Sequence, residues 1–181
     1  VYSTADLLGL SSLSILRGIS ELKSVEGRFH VFQSADNITV VIDYAHTPDA
    51  VSRVLKSVRS FTSGRVIGVL GCGGDRDKSK RSPMGQALFT GSDLAIFTSD
   101  NPRNEKADEI LNEMTEDIAL AEKGFVFVDR KEAIDFAVKM AKSGDCIMLM
   151  GKGHESGQEI AGVVTAFDDR LVLAQVIEAK P

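Results

Sequence analysis

Five short runs constrain this chain more than anything else in it: Ile38-Thr39-Val40-Val41-Ile42, Val66-Ile67-Gly68-Val69-Leu70, Leu94-Ala95-Ile96-Phe97-Thr98, Phe125-Val126-Phe127-Val128 and Cys146-Ile147-Met148-Leu149-Met150. They are strand-length and largely apolar without alternation, so both faces need cover. The stretches between them have helical spacing. Thr47-Pro48 reads as a cap with proline in the first turn, ahead of Val51, Val54, Leu55 and Val58. Ser82-Pro83 opens a helix through Leu88, and Ala107, Ile110, Leu111, Met114 and Ile118 mark another after the Asn101-Pro102 turn. Asp129-x-x-Glu132 is a capping box for a helix burying Ala133, Ile134, Ala137, Val138 and Ala141, and Asp168 caps a last helix through Ala179. Phe29-His30-Val31-Phe32 and the run at 38–42 flank the turn-rich Ser34-Ala35-Asp36-Asn37, which predicts a hairpin. Together these predict an α/β domain: a doubly wound, mostly parallel, Rossmann-like sheet with an N-terminal antiparallel hairpin.

Residues 1–22 carry eight Leu and Ile, enough for one or two short helices that have no sheet of their own to cover. The charged segment 21–28 reads as a connector. With a first residue of Val, this lead-in is expected of a piece of a longer protein, and no signal peptide is recognisable. The 181 residues suffice for one ordinary domain and not for two large ones. A net charge of −5, two tyrosines and no tryptophan argue against a nucleic-acid partner. No apolar run approaches the ~20 residues that span a bilayer, so no membrane partner is expected. Cys72 and Cys146 sit in apolar surroundings and read as reduced core residues of a cytoplasmic protein, with no metal site.

Ligands of such sheets bind outside the carboxyl ends of the strands. There the chain places Asp43-Tyr44-Ala45-His46-Thr47-Pro48, Gly71-Cys72-Gly73-Gly74-Asp75-Arg76-Asp77-Lys78, Asp100-Asn101-Pro102-Arg103 and Gly151-Lys152-Gly153-His154-Glu155. The opposite edge carries weaker clusters such as 59–65. Each motif alone has a plain reading: a tight glycine turn, a helix-entry histidine, an Asx turn. Arg103, projecting from a rigid turn, is suited to hold a carboxylate with its guanidinium fork. Gly68-x-x-Gly71 does not fit a dinucleotide fingerprint, and Gly153 stands where a P-loop needs Ser or Thr after Lys152, so no P-loop is present.

In order and spacing these motifs, with Val25-Glu26-Gly27-Arg28 before them and Phe167-Asp168-Asp169-Arg170 after, resemble the C-terminal domain of the Mur ligases, most closely the MurE branch. The resemblance covers nearly the whole chain. It implies residues 1–24 as a helical tail of a central ATPase domain plus linker, and 25–181 as the amino-acid-binding domain. It implies a cytoplasmic, monomeric full-length ligase that uses ATP and Mg²⁺, both bound mostly by the central domain. Its small-molecule substrates would be meso-2,6-diaminopimelate, ATP and UDP-MurNAc-L-Ala-D-Glu. ATP phosphorylates the peptide carboxylate, and the incoming amine attacks the acyl phosphate to give an amide, ADP and phosphate. No catalytic residue is expected in this chain, whose task is positioning.

Asp100-Asn101-Pro102-Arg103 is similar to the form in diaminopimelate-using members; L-lysine-using ones usually lack the arginine. The resemblance implies that Arg103 and Asn101 hold the extra carboxylate, within a site formed by Asp100, Asn101, Pro102 and Arg103. It further implies that Glu155 and the Gly151 carbonyl take the distal ammonium, and that Arg76 holds a ligand carboxylate. Arg28, Asp43, Tyr44 and His46 are implied at the nucleotide, with Asp43 near the ribose. Gly157, where the family often has a bulky or amide residue, implies a looser pocket wall. The alternatives are a sister ligase using L-lysine and a non-catalytic binding module; folylpolyglutamate synthase shares the domain type, but its motifs fit poorly.

Overall fold

The structure is a computed structural model that describes residues 1–21, 27–34 and 36–178. The expected boundary between 24 and 25, Leu22, Val25-Glu26, Ala35 and the helix end at Ala179 lie outside the described residues. Strands β1 (His30–Gln33), β2 (Thr39–Asp43), β3 (Val66–Leu70), β4 (Leu94–Thr98), β5 (Gly124–Phe127) and β6 (Cys146–Met150) form one sheet in the order β1-β2-β6-β3-β4-β5. Among the described residues of this sheet the β1–β2 pair is antiparallel and the others are parallel. The α/β class, the parallel sheet and the opening hairpin are as the sequence predicts.

Alternation within each strand splits the core. Val41, Val66, Leu70, Phe97, Met148 and Met150 face helices α3 (Pro48–Arg59), α4 (Arg81–Gly91) and α5 (Ala107–Thr115). Val40, Ile42, Ile67, Val69, Ile96, Ile147 and Leu149 face α6 (Arg130–Met140) and α7 (Asp169–Glu178). Burying both faces removes these side chains almost wholly from water, at roughly 1.5–3 kcal/mol for each large one.

Local capping follows the sequence in most places. Thr47 Oγ1 accepts from the Ala50 N–H at 3.3 Å, and Asp129 Oδ1 accepts from the N–H groups of Lys131 and Glu132. Asp168 Oδ1 accepts from the Arg170 N–H at 2.8 Å. Two bounds differ. A 3-10 turn at Lys78–Lys80, held by Asp77, leads into α4, which starts at Arg81 and not at Ser82-Pro83. Ile118 lies past the end of α5 but still packs on the core.

The lead-in forms α1 (Tyr2–Leu7) and α2 (Ser12–Ser20), whose one buried residue is Ile15. An unforeseen hairpin, β7 (Gly157–Ile160) with β8 (Val163–Ala166), follows β6. Residue for residue, Asp43, Leu70 and Phe97 stand level with Met150 or with each other across the parallel ladder, so the loops after β2, β3, β4 and β6 leave the sheet at one height. The loop after β3 leads to α4 on one face, while the chain after β6 leads to α7 on the other. Their divergence opens the sheet edge between them.

Candidate functional site

A cleft of about 400 Å³ opens at that edge, lined by Tyr44 and His46 from the β2 loop and Gly71, Cys72, Gly73, Arg76, Asp77, Lys80 and Arg81 from the β3 loop and α4 start. Met84 of α4, Asp100, Asn101 and Arg103 after β4, and Gly151 and Glu155 after β6 complete it. The residues implied at an amino acid, Pro102 excepted, and two of those implied at a nucleotide therefore share one space.

The charged end is a buried hydrogen-bonded cluster. Asn101 Nδ2 donates to Glu155 Oε2 at 2.8 Å and to Asp100 Oδ1 at 2.9 Å. Lys152, wholly buried, donates from Nζ to Asn101 Oδ1 at 3.2 Å and to Glu155 Oε2 at 3.3 Å. Burial raises the Asp100 pKa above its ordinary value; Arg130 and Lys152 pull it down without cancelling that rise. Tyr44 is also raised, first by burial and then by the charges of Glu155 and Asp100.

Arg103 stands in a left-handed conformation, φ 53°, which costs a residue with a Cβ roughly 1–2 kcal/mol. Its Nη1 donates to the Gly74 carbonyl at 2.8 Å, and its Nε lies 3.4 Å from Glu159. Gly74 has no room for a side chain: an added Cβ would lie 1.9 Å from the Pro102 carbonyl oxygen. Gly151, at φ 104°, likewise needs glycine, and its Cβ would meet Asp100 Oδ2 at 2.7 Å. Arg76 is exposed at the cleft wall.

Three implied site residues stand apart. Pro102 lines a second hollow, about 830 Å³, on the β5 side of its loop. Asp43 accepts the Phe29 N–H at 2.8 Å, tying β2 to the residue before β1, and is not at the cleft wall. Arg28 lies over the Tyr44 ring, 5.5 Å from its centroid, and is not among the residues that line the cleft. His46 Nδ1 is 2.8 Å from the Tyr44 carbonyl oxygen. Gly157 stands in β7 opposite Ala166, where an added Cβ would meet Val164 Cγ1 at 2.9 Å. Gly157 is not among the residues that line the cleft.

The support behind the cleft went unread in the sequence. Arg81 holds Glu105 from Nη1 at 2.9 Å and Nη2 at 2.8 Å, and holds Glu113 at 2.6 Å. Glu105 also accepts the Asp75 N–H at 2.6 Å, linking the β3 loop to the β4 loop. Hydrogen bonds from Arg81, Lys78 and the Asp75 N–H hold the Glu105 carboxyl far below the carboxylate range. Arg130 and Asp169, both with wholly buried side chains, pair at 2.7 Å. Arg130 donates in addition to the Met150 carbonyl at 3.0 Å, at the end of β6, and to the Ser99 carbonyl at 3.4 Å, just after β4. The one available signal was a charge beside an otherwise apolar run: Lys152 after Met150, Arg130 after Val128-Asp129. At the opposite sheet edge, Arg59 pairs with Asp93 and Arg65 with Asp145, so those charges are spent on one another.

Burial pushes the Cys72 thiol up to about 12 and the Cys146 thiol up to about 11; both are free. Among the described residues no group of three or more His, Cys, Asp or Glu is placed to hold a metal ion, and no helix is long and apolar enough to cross a membrane.

Residues 27–153 match the family described as Mur ligase, glutamate ligase domain. The chain belongs to this family. This glutamate ligase domain is 44% identical over 181 residues to a Cytophaga hutchinsonii protein named UDP-N-acetylmuramoyl-L-alanyl-D-glutamate--2,6-diaminopimelate ligase, covering 98% of this chain and 37% of that one. A protein of the same name from Aquifex aeolicus is 47% identical over 154 residues, covering 85% and 32%. A solved structure with that title superposes with a TM-score of 0.81 at 38% identity, covering 98% of this chain and 37% of the other. The Mycobacterium tuberculosis folylpolyglutamate synthase, solved with ADP and AMPPCP, shares the fold at TM-score 0.60 and 21% identity, over 82% of this chain and 35% of its own. The chain spans little more than a third of the length of the curated relatives it matches.

Proposed function

We propose that this chain is the C-terminal domain, residues 25–181 behind a helical tail at 1–24, of an ATP-dependent ligase. The reaction is addition of meso-2,6-diaminopimelate to UDP-MurNAc-L-Ala-D-Glu through an acyl phosphate, in the cytoplasm and by a monomeric enzyme. The observation that carries the reading is Arg103 sharing one cleft with the Asn101–Glu155 pair. Diaminopimelate differs from lysine by one carboxylate, and a guanidinium in this place answers that difference with charge-assisted hydrogen bonds. Glu155, already held by Asn101 and Lys152, is a fixed acceptor for the distal ammonium, together with the Gly151 carbonyl. Arg76 meets the remaining carboxylate from the exposed wall. Lysine would leave Arg103 without its ligand partner, a penalty of roughly 1–3 kcal/mol.

Binding both ends of the amino acid leaves its reacting amine oriented rather than free, which is a contribution of proximity and not of proton transfer. Tyr44 and His46, with Arg28 stacked on the Tyr44 ring, fit a nucleotide at the mouth of the same cleft. ATP supplies the phosphoryl group that activates the peptide carboxylate, and we assign its phosphates and Mg²⁺ to residues outside this chain, which has no P-loop.

The test is the full-length enzyme given UDP-MurNAc-L-Ala-D-Glu, ATP and meso-diaminopimelate, with product mass as readout. A product heavier by diaminopimelate minus water, formed only with ATP, is expected; a product formed with L-lysine alone contradicts the reading. The 181-residue chain by itself is expected to give none.

A further inference from the structure

We infer that Glu159, on the β7–β8 hairpin, is a positioning residue that sets which donors of Arg103 remain for a ligand; this rests on the reading of the cleft as a diaminopimelate site. Glu159 touches the β4 loop three times. Its N–H donates to Asn101 Oδ1 at 3.0 Å, its carbonyl accepts the Arg103 N–H at 3.0 Å, and its carboxylate lies 3.4 Å from Arg103 Nε. The Ala161 N–H donates to the Arg103 carbonyl at 2.7 Å, and the Gln158 side chain donates to the Asp100 carbonyl at 2.8 Å. The hairpin thus grips this loop on both sides of Pro102, and it holds Arg103 in its left-handed conformation.

A guanidinium has five N–H donors in a fixed plane. The Glu159 carboxylate is an ion-pair partner 3.4 Å from Nε, on that edge of the guanidinium, and the Gly74 carbonyl takes one donor from Nη1. A carboxylate standing at the Nε edge disfavours a second anion there, so a ligand carboxylate is directed to the terminal nitrogens. Without Glu159 the side chain is anchored by Gly74 alone and can offer its other edge. Discrimination between an amino acid with a second carboxylate and one without it then weakens, although no residue touching the ligand has changed. The Glu159 side chain is 39% exposed, so its removal opens no cavity.

The experiment measures kcat and KM for meso-diaminopimelate, L-lysine and ATP in the full-length ligase, as wild type, Glu159→Ala and Glu159→Gln. The inference expects Glu159→Ala to raise the diaminopimelate KM about tenfold and to narrow the preference over lysine, with kcat and the ATP KM within about twofold. Glu159→Gln, which keeps a side-chain oxygen beside Nε without the charge, is expected to recover only part of the loss. An unchanged or lowered diaminopimelate KM in Glu159→Ala overturns the inference. So does a parallel change in kcat and the ATP KM, which would mark a purely structural role. The wild-type arm separates the two claims: a wild type without diaminopimelate activity overturns the functional reading, and this inference with it.

Discussion

Asn101 Nδ2 and Glu155 Oε2 meet at 2.8 Å, joining the loop after β4 to the loop after β6 across 54 positions of sequence. Lys152 Nζ reaches both partners, so acceptor, amide and cation form one closed group at the floor of the cleft. A polar group so fully satisfied is rigid, and rigidity is what a site for a small zwitterion needs.

Arg103→Lys in the full-length enzyme is expected to raise the diaminopimelate KM by ten- to a hundred-fold, order-of-magnitude figures for losing a bidentate charged contact. The ATP KM is expected to move little. Steady-state kinetics with each substrate varied in turn gives the answer, and unchanged KM and kcat for diaminopimelate would remove Arg103 from the site.

The Arg130–Asp169 pair predicts a large asymmetry between breaking and replacing it. Arg130→Met leaves a buried carboxylate uncompensated and is expected to cost about 3–5 kcal/mol in urea unfolding. Arg130→Met with Asp169→Leu is expected to recover most of that loss, because the desolvation of both charges goes with them. Equal destabilisation by the single and double variants would refute the pairing as the source.

Acid sensitivity follows from Glu105. Its folded pKa is depressed below the unfolded carboxylate value of about 4.3. The stability it contributes is therefore present above that value and is lost as the pH falls toward the folded one. Asp145 and Asp168, lowered by their arginine and backbone partners against the opposing effect of burial, act in the same direction. Asp100, raised by burial, acts in the opposite sense. Melting temperatures below pH 4.3 are expected to fall less steeply in Glu105→Gln than in wild type. Identical slopes would show that Arg81 and Lys78 do not hold Glu105 in solution.

Much of the fold was legible because both-face burial leaves a mark in composition: β3, β4 and β6 are wholly buried and read as unbroken apolar runs. The β7–β8 hairpin left no such mark. Its residues Ile160, Val163 and Val164 are largely exposed, β8 is exposed throughout, and Ile160 bridges to Arg103 of the β4 loop beside it. The cleft-facing Tyr44, Arg76, Asn101, Arg103 and Glu155 were visible as charge and amide groups at strand ends. Arg81, Glu105 and Glu159 were not, because their roles arise from partners 24 to 56 positions away; Lys152 was visible at its strand end, but not its bond to Asn101. Pro102 and Asp43 sit in motifs at the site, yet their contacts serve the scaffold.

The most direct test of the central claim is an amide-shift titration of this chain with meso-diaminopimelate and, separately, with L-lysine. The account predicts shifts at Arg76, Asn101, Arg103 and Glu155 with diaminopimelate and far weaker ones with lysine. Equal shifts with both ligands, or shifts confined to residues away from the cleft, would contradict it.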